Sequence, residues 1–140
     1  PRLPNGALSA FNSDLIREPL AGRAYTAPVG PEAVVWVLTV ARCVENLIHA
    51  ALLPAGAIGA PRVINLPCVA ASIGEIVEAI GRAGGTHAAA RVAYAPDANI
   101  QAQFGSLPRA FHPARALALG FAADESIDAI IRNHLNSTSD

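Results

Sequence analysis

Val34-Val35-Trp36-Val37-Leu38-Thr39-Val40-Ala41-Arg42-Cys43-Val44-Glu45-Asn46-Leu47-Ile48-His49-Ala50-Ala51-Leu52 reads as a strand running almost directly into a helix. Val34 to Val37 are β-branched or aromatic with no polar residue among them, which suits a pleated, packed strand. Thr39 stands where a hydroxyl can accept from the first free N–H groups of a helix. Beyond it Val40, Cys43, Val44, Leu47, Ile48 and Ala51 recur at three- and four-residue steps and make one apolar face. Arg42, Glu45, Asn46 and His49 line the other face, and Pro54 with Gly56 stops the run.

The same strand–helix alternation extends outward. Upstream, Leu8, Phe11, Leu15 and Ile16 have the spacing of a short amphipathic helix, which Pro19 is expected to end. A loop follows, with a short extended piece at Tyr25-Thr26. Downstream, Arg62-Val63-Ile64-Asn65-Leu66 reads as a second strand ended by Pro67. Ser72 and Glu75 then form a capping box for a helix carrying Ile73, Ile76, Val77 and Ile80. A weak strand over 90–94, an ambiguous stretch over 97–107, a brief helix from His112-Pro113 to Gly120 and a last helix from Ser126 complete the chain. The fold class is therefore α/β, with too few strands for a full doubly wound sheet.

Composition narrows the function classes. Of 140 residues 52% are hydrophobic and 15% charged, a globular balance with an apolar excess that hints at contact with another polypeptide surface. A net charge of −1 gives no basic footprint for nucleic acid. The most apolar stretch, 33–53, is interrupted by charged and polar residues and is no simple membrane span. There is no Met, which argues that the natural chain starts elsewhere, and there is no Lys, all ten basic residues being Arg. Schiff-base, phosphate-loop and lysine-assisted tyrosine chemistry therefore cannot be supplied from within these residues. Cys43 and Cys68 lack a Cys-x-x-Cys spacing and are expected to be buried thiols, in keeping with a reducing cytoplasm.

Motif chemistry is sparse. The four histidines, at 49, 87, 112 and 134, have no metal-ligand spacing, and His49 and His134 read as helix-surface residues near C-termini. No Gly-x-Ser-x-Gly elbow is present. Gly56-Ala57-Ile58-Gly59 follows a helix instead of a strand, so it is not a dinucleotide turn. Glu75 is explained as a cap and Glu78 as an exposed neighbour, leaving no acid–base pair. Trp36 suits either core packing or stacking on a ligand.

Several segments, in order, resemble the C-terminal half of extended short-chain dehydrogenases, nearest to the D-erythronate dehydrogenase and nucleoside-diphosphate-sugar epimerase group. They are Pro4-Asn5 with Ser9-Ala10-Phe11, Ile16-Arg17-Glu18-Pro19-Leu20-Ala21-Gly22, Leu47-Ile48-His49-Ala50, Asn65-Leu66-Pro67, Ser72-Ile73-Gly74-Glu75, Arg115 to Phe121, and Ile130 to His134. The resemblance implies that residues 1–140 are a single C-terminal substrate-binding domain of a Rossmann-type enzyme. The NAD(P)-binding half, with its glycine-rich turn and Tyr-x-x-x-Lys pair, would lie outside this sequence as the domain's partner. The tyrosines agree: four residues beyond Tyr25 and Tyr94 stand Val29 and Ala98. NAD or NADP would serve the parent protein and not bind this chain alone. The substrate would be a small sugar or sugar acid, contacted by Asn5, Ser9, Phe11 and Trp36, with no catalytic, cofactor-binding or metal residue in the chain.

The pattern departs from the family around Trp36. Val34-Val35 stand where the resemblance implies Arg-His, Val37 stands for His, and Ala41 stands for an Arg that occurs one step later as Arg42. Loss of those donors points to a less anionic ligand, or to the alternative reading, a non-catalytic binding or regulatory domain with dehydrogenase-like packing. In either case the Val34–Val37 and Val63–Leu66 strands would be flanked by the other half, and the fragment alone is expected to self-associate.

Overall fold

The computed structural model describes residues 10–108 and 110–137. In chain order the elements are α1 Ala10–Leu20, β1 Tyr25–Ala27, β2 Val34–Val37, α2 Val40–Leu52, β3 Val69–Ser72, α3 Ile73–Gly84, α4 Thr86–Ala89, β4 Val92–Tyr94, α5 Ala98–Gly105, α6 Ala114–Ala118 and α7 Ile127–Ser137. The strands form two separate two-stranded sheets. β1 lies parallel to β4, with Tyr25 opposite Val92, and β2 lies antiparallel to β3, with Val34 opposite Ser72 and Val37 opposite Val69.

α3 is the centre of the core. Its Ile73, Ile76, Ala79 and Ile80 are fully or nearly fully buried, against Leu15 and Ile16 of α1 and Ile127, Ile130 and Ile131 of α7. Val35 of β2, Ala27 of β1 and Val29 in the following loop close the cluster. The start of α3 is fixed locally. Ser72 Oγ accepts from the Glu75 N–H at 3.1 Å, and the Glu75 carboxylate accepts from the Ser72 N–H at 2.7 Å, the expected capping box. Those bonds also hold the Glu75 carboxyl below its usual range.

Four expectations need correction. The run 62–66, expected as a strand, joins neither sheet, and the partner of β2 is Val69–Ser72. Ala70 and Ala71 are small residues of low strand propensity, so the place of this segment in the ladder owes more to its partner than to its composition. Helix α1 runs one residue past Pro19, whose ring is buried. Helix α6 begins after Pro113, which occupies the capping position and not the first helical one. Cys43 and Cys68 are free thiols but only half-buried.

The largest reversal concerns α2. The usual amphipathic arrangement buries the apolar face. Here the buried residue of α2 is Asn46, while Val40, Val44, Leu47, Ile48 and Leu52 are exposed. The polar face is the docked one. Asn46 Nδ2 donates to the Ala122 carbonyl at 2.8 Å and its Oδ1 accepts from the Ala122 N–H at 3.0 Å. His49 Nε2 lies 2.7 Å from the Leu119 carbonyl, and its ring meets Phe121 edge-on at 5.0 Å. His49 is thus a packing residue and not a surface one. Between these contacts Gly120 has φ +88°, and a Cβ on it would sit 3.0 Å from His49 Nε2, so glycine is required twice over.

The run Arg17-Glu18-Pro19-Leu20-Ala21-Gly22 ends α1. Gly22, at φ +80°, donates to the Pro19 carbonyl, and Arg23 donates its N–H to Glu18 O. Glu18 also ion-pairs with Arg23 and, at 3.0 Å, with Arg17, whose guanidinium reaches Asp14 at 2.6 Å. Hydrogen bonds from Arg23 and then Arg17 hold the Glu18 carboxyl down to about 2. Its stabilisation is therefore complete above about 4.5 and is lost as pH falls through about 2. Glu18→Gln should lower stability by about 1 kcal/mol at neutral pH, a modest figure because both arginines are largely exposed. In urea titrations at stepped pH the gap between parent and variant should narrow below about pH 4.5 and close near pH 2; a gap constant down to pH 2 would contradict the ion-pair account.

Candidate functional site

Of the four residues expected to touch substrate, Asn5 and Ser9 lie outside the described residues. Phe11 and Trp36 are brought to one structure, a flap made by α5 and the segment after it. Asp97 starts α5 as its cap, its Oδ1 accepting from the Asn99 and Ile100 N–H groups at 2.9 and 3.1 Å. Gln101 pins the flap to the loop before β2. Its Oε1 accepts from the Gly30 N–H and its Nε2 donates to Glu32 Oε1, both at 2.9 Å.

Phe104 packs edge-on against Phe11 at 5.0 Å, and Phe11 is buried in the core. Trp36 is half-buried, donates its indole N–H to the Pro108 carbonyl at 3.2 Å and meets Phe111 edge-on at 5.7 Å. Phe11 therefore acts from behind the flap, and Trp36 stands at its open side. The recess between flap and β2, lined by Glu32, Val34, Gln101, Phe104 and Pro108 among others, measures about 40 Å³. That is room for a water, not for a sugar, which needs several hundred Å³.

A second recess, open and polar, of about 240 Å³, lies between the start of α2 and α7 and is lined by Arg42, Asp124, Glu125, Arg132 and Asn133. Asp124 anchors it: its carboxylate accepts from the Thr39 N–H at 2.8 Å and from Thr39 Oγ1 at 2.9 Å. Thr39 Oγ1 in turn accepts from the Arg42 N–H, which is the cap expected from sequence. Arg42 pairs with Glu45 at 2.6 Å, while its buried Nε has no hydrogen-bond partner.

Burial, with the Asp14 and Glu18 charges nearby, pushes Tyr25 up to about 12, and its hydroxyl donates to the Phe11 carbonyl at 3.4 Å. Tyr94 is raised by burial and by Glu78. Burial likewise raises the Cys68 thiol, the reverse of an activated nucleophile. Among the described residues no three His, Cys, Asp or Glu side chains gather as a metal site, and no helix is long and apolar enough to cross a membrane.

Gln101, Phe104, Pro108, Phe111 and Asp124 are absent from the sequence-based candidates. Asp97 followed by Ile100 and Phe104 was the available signal for α5; the partners across β2, about seventy residues away in sequence, left none.

No protein-family model matches the chain. Among curated proteins, it aligns over 135 residues at 38% identity with the D-erythronate dehydrogenase of Cupriavidus necator, and at 30% with that of Haemophilus influenzae. Each match covers 96% of this chain but 42% and 43% of the relative. Among solved structures, the nucleoside-diphosphate-sugar epimerase from Agrobacterium tumefaciens superposes with a TM-score of 0.88 at 32% identity, over 97% of this chain and 40% of that one. In sequence and fold this chain is similar to part of these proteins, and its structure matches the C-terminal part of the extended short-chain dehydrogenase fold. The GalE-like L-threonine dehydrogenase of Cupriavidus necator shares the fold, with a TM-score of 0.84 at 17% identity and 98% of this chain covered. The few strands and several helices match that part of the fold, and the chain spans less than half the length of the relatives it matches.

The departures around Trp36 gain a partly physical reading from the fold. Val35 is almost fully buried opposite Ala71, so an ionised side chain there would lie in the core of this domain. Val34 and Val37 are half-buried, and Val34 lines the recess beside the flap.

Proposed function

We propose that these residues are the substrate-binding part of an NAD(P)-dependent dehydrogenase or epimerase acting on a sugar or sugar acid. The observation that carries the reading is the ordered match, over nearly the whole chain, to relatives named D-erythronate dehydrogenase. In this reading residues 1–140 are one C-terminal domain, and hydride transfer belongs to an N-terminal nucleotide-binding half. NAD or NADP would supply the hydride chemistry, while this domain contributes orientation and exclusion of water. The absence of lysine and the raised tyrosines support that division. Trp36, with Asn5 and Ser9, would contact substrate; Phe11 would support the flap through Phe104. The free thiols of Cys43 and Cys68 suit a cytoplasmic setting.

The experiment is an assay on the product of the complete reading frame with NAD⁺ or NADP⁺ and four-carbon sugar acids. Reduction of nicotinamide with D-erythronate or a close analogue supports the proposal. Cofactor binding without turnover on any sugar or sugar acid would favour a domain that has lost catalysis, for which the valines at 34 and 37 are the motive.

A further inference from the structure

The polar recess between the start of α2 and α7 has no part in the proposed function. It shares no lining residue with the recess beneath the flap. Its volume of about 240 Å³ equals that of roughly eight waters in the liquid, below a drug-sized pocket but room for a compact acid.

Donors reach this recess from two helices. On α2, Arg42 spends one terminal nitrogen on Glu45, while its Nε is buried and has no hydrogen-bond partner. A buried charged donor without an acceptor is costly, so such an atom in the wall of a recess calls for an oxygen inside it. Asp124 lies in the same wall but is turned to Thr39, which donates one bond to each of its oxygens. On α7, Arg132 is exposed and makes no ion pair among the described residues. Asp128, one turn earlier, is taken by Arg82.

Arg42 is no stand-in for the arginine that the family resemblance implies at 41. One residue turns a side chain by about 100° around a helix, so the two positions serve different sides of α2. Ala41 itself is exposed.

Charge then selects the ligand. Against Arg42 and Arg132 stand Asp124 and Glu125, so the lining carries no net charge. Glu125 is exposed and has no ion pair among the described residues. A multiply charged anion gains little from such a lining. A singly charged carboxylate that also carries a hydrogen-bond donor matches both signs at once.

We infer that this recess is a second small-molecule site, taking a compact hydroxy or amino acid whose carboxylate lies between Arg42 and Arg132 and whose hydroxyl or ammonium donates to Glu125. The inference stands apart from what the flap binds.

Titration calorimetry on the product of the complete reading frame tests the site. Lactate and alanine probe the two donors, acetate is the acid without one, and inorganic phosphate is the multiply charged anion. Lactate or alanine should bind saturably with a dissociation constant on the order of 1 mM, and the tighter of the two identifies the donor. Acetate should bind roughly tenfold more weakly, the worth of one hydrogen bond to a charged group, and phosphate no more tightly than acetate. Arg132→Gln should weaken the favoured probe by about tenfold or more and leave the melting temperature unchanged, since the side chain is exposed. Glu125→Ala, at another exposed position, should bring lactate and alanine down to the level of acetate. No saturable heat from any probe, equal affinity for acetate and the donor-bearing acids, or binding at parent strength in both variants would overturn the site. Phosphate binding tightest of the four would overturn it in favour of a plain anion patch. None of these readouts depends on turnover, so their failure is distinct from failure of the proposed function.

Discussion

Ile80→Ala should destabilise the domain by roughly 2–5 kcal/mol. Ile80 is fully buried in α3, the helix that α1 and α7 flank. Truncation removes the transfer free energy of the lost methyl and methylene groups and leaves a cavity that the surrounding isoleucines fill only in part. Domains of this size commonly have only about 5–15 kcal/mol in hand, so the melting temperature should fall by on the order of 10 °C. The control is Leu47→Ala on the exposed face of α2, which should change stability by less than about 0.5 kcal/mol. Thermal melts followed by circular dichroism decide it. Equal losses at Ile80 and Leu47 would mean that α2 is buried in the solution form and that the two faces have been assigned wrongly.

Asn46→Ala is the second large effect, and it tests the unusual part of the fold. Asn46 is 3% exposed, and its amide matches the N–H and C=O of Ala122 as a second strand would. Alanine leaves both backbone groups without partners in a part-buried site, which costs about 1–3 kcal/mol beyond the lost side-chain packing. Asn46→Asp should be nearly as harmful, because a carboxylate accepts from the Ala122 N–H but repels its carbonyl. The expected readout is a melting temperature several degrees lower for both variants, with faster amide exchange over 119–124. A neutral Asn46→Ala would show that α2 is held by its other contacts, and it would weaken the argument that the helix is clamped with its apolar stripe outward.

Much of the local structure was legible because its signals are local. Val34–Val37, the Thr39 cap, the Ser72–Glu75 capping box and Gly120 all declare themselves within a few residues, and each stands where expected. What was not legible depends on partners far along the chain. The periodicity of α2 identified its two faces but not which one meets this chain's core, since that depends on how much of the core these residues contain. β3 was misplaced because Val69-Ala70-Ala71 is recruited by β2 and is not a strong strand former itself. The run 62–66 has strand composition and no partner here, so composition and ladder disagree for the same reason that α2 looks inverted.

Of the residues singled out for the candidate site, Phe11 and Trp36 lie among the described residues. Trp36 was singled out, and it stands half-buried at the open side of the flap. Phe11 was singled out too, yet it lies behind the flap in the core. The flap residues Gln101 and Phe104, and Asp124 beneath Thr39, carry no motif; each gains meaning only from a contact that folding creates.

In the proposed function these residues orient substrate and another part of the protein holds the cofactor. Calorimetric titration of NAD⁺ and NADP⁺ into the purified 140-residue chain tests it most directly. No saturable heat is expected for either nucleotide. Stoichiometric, saturable binding by this chain alone would contradict it.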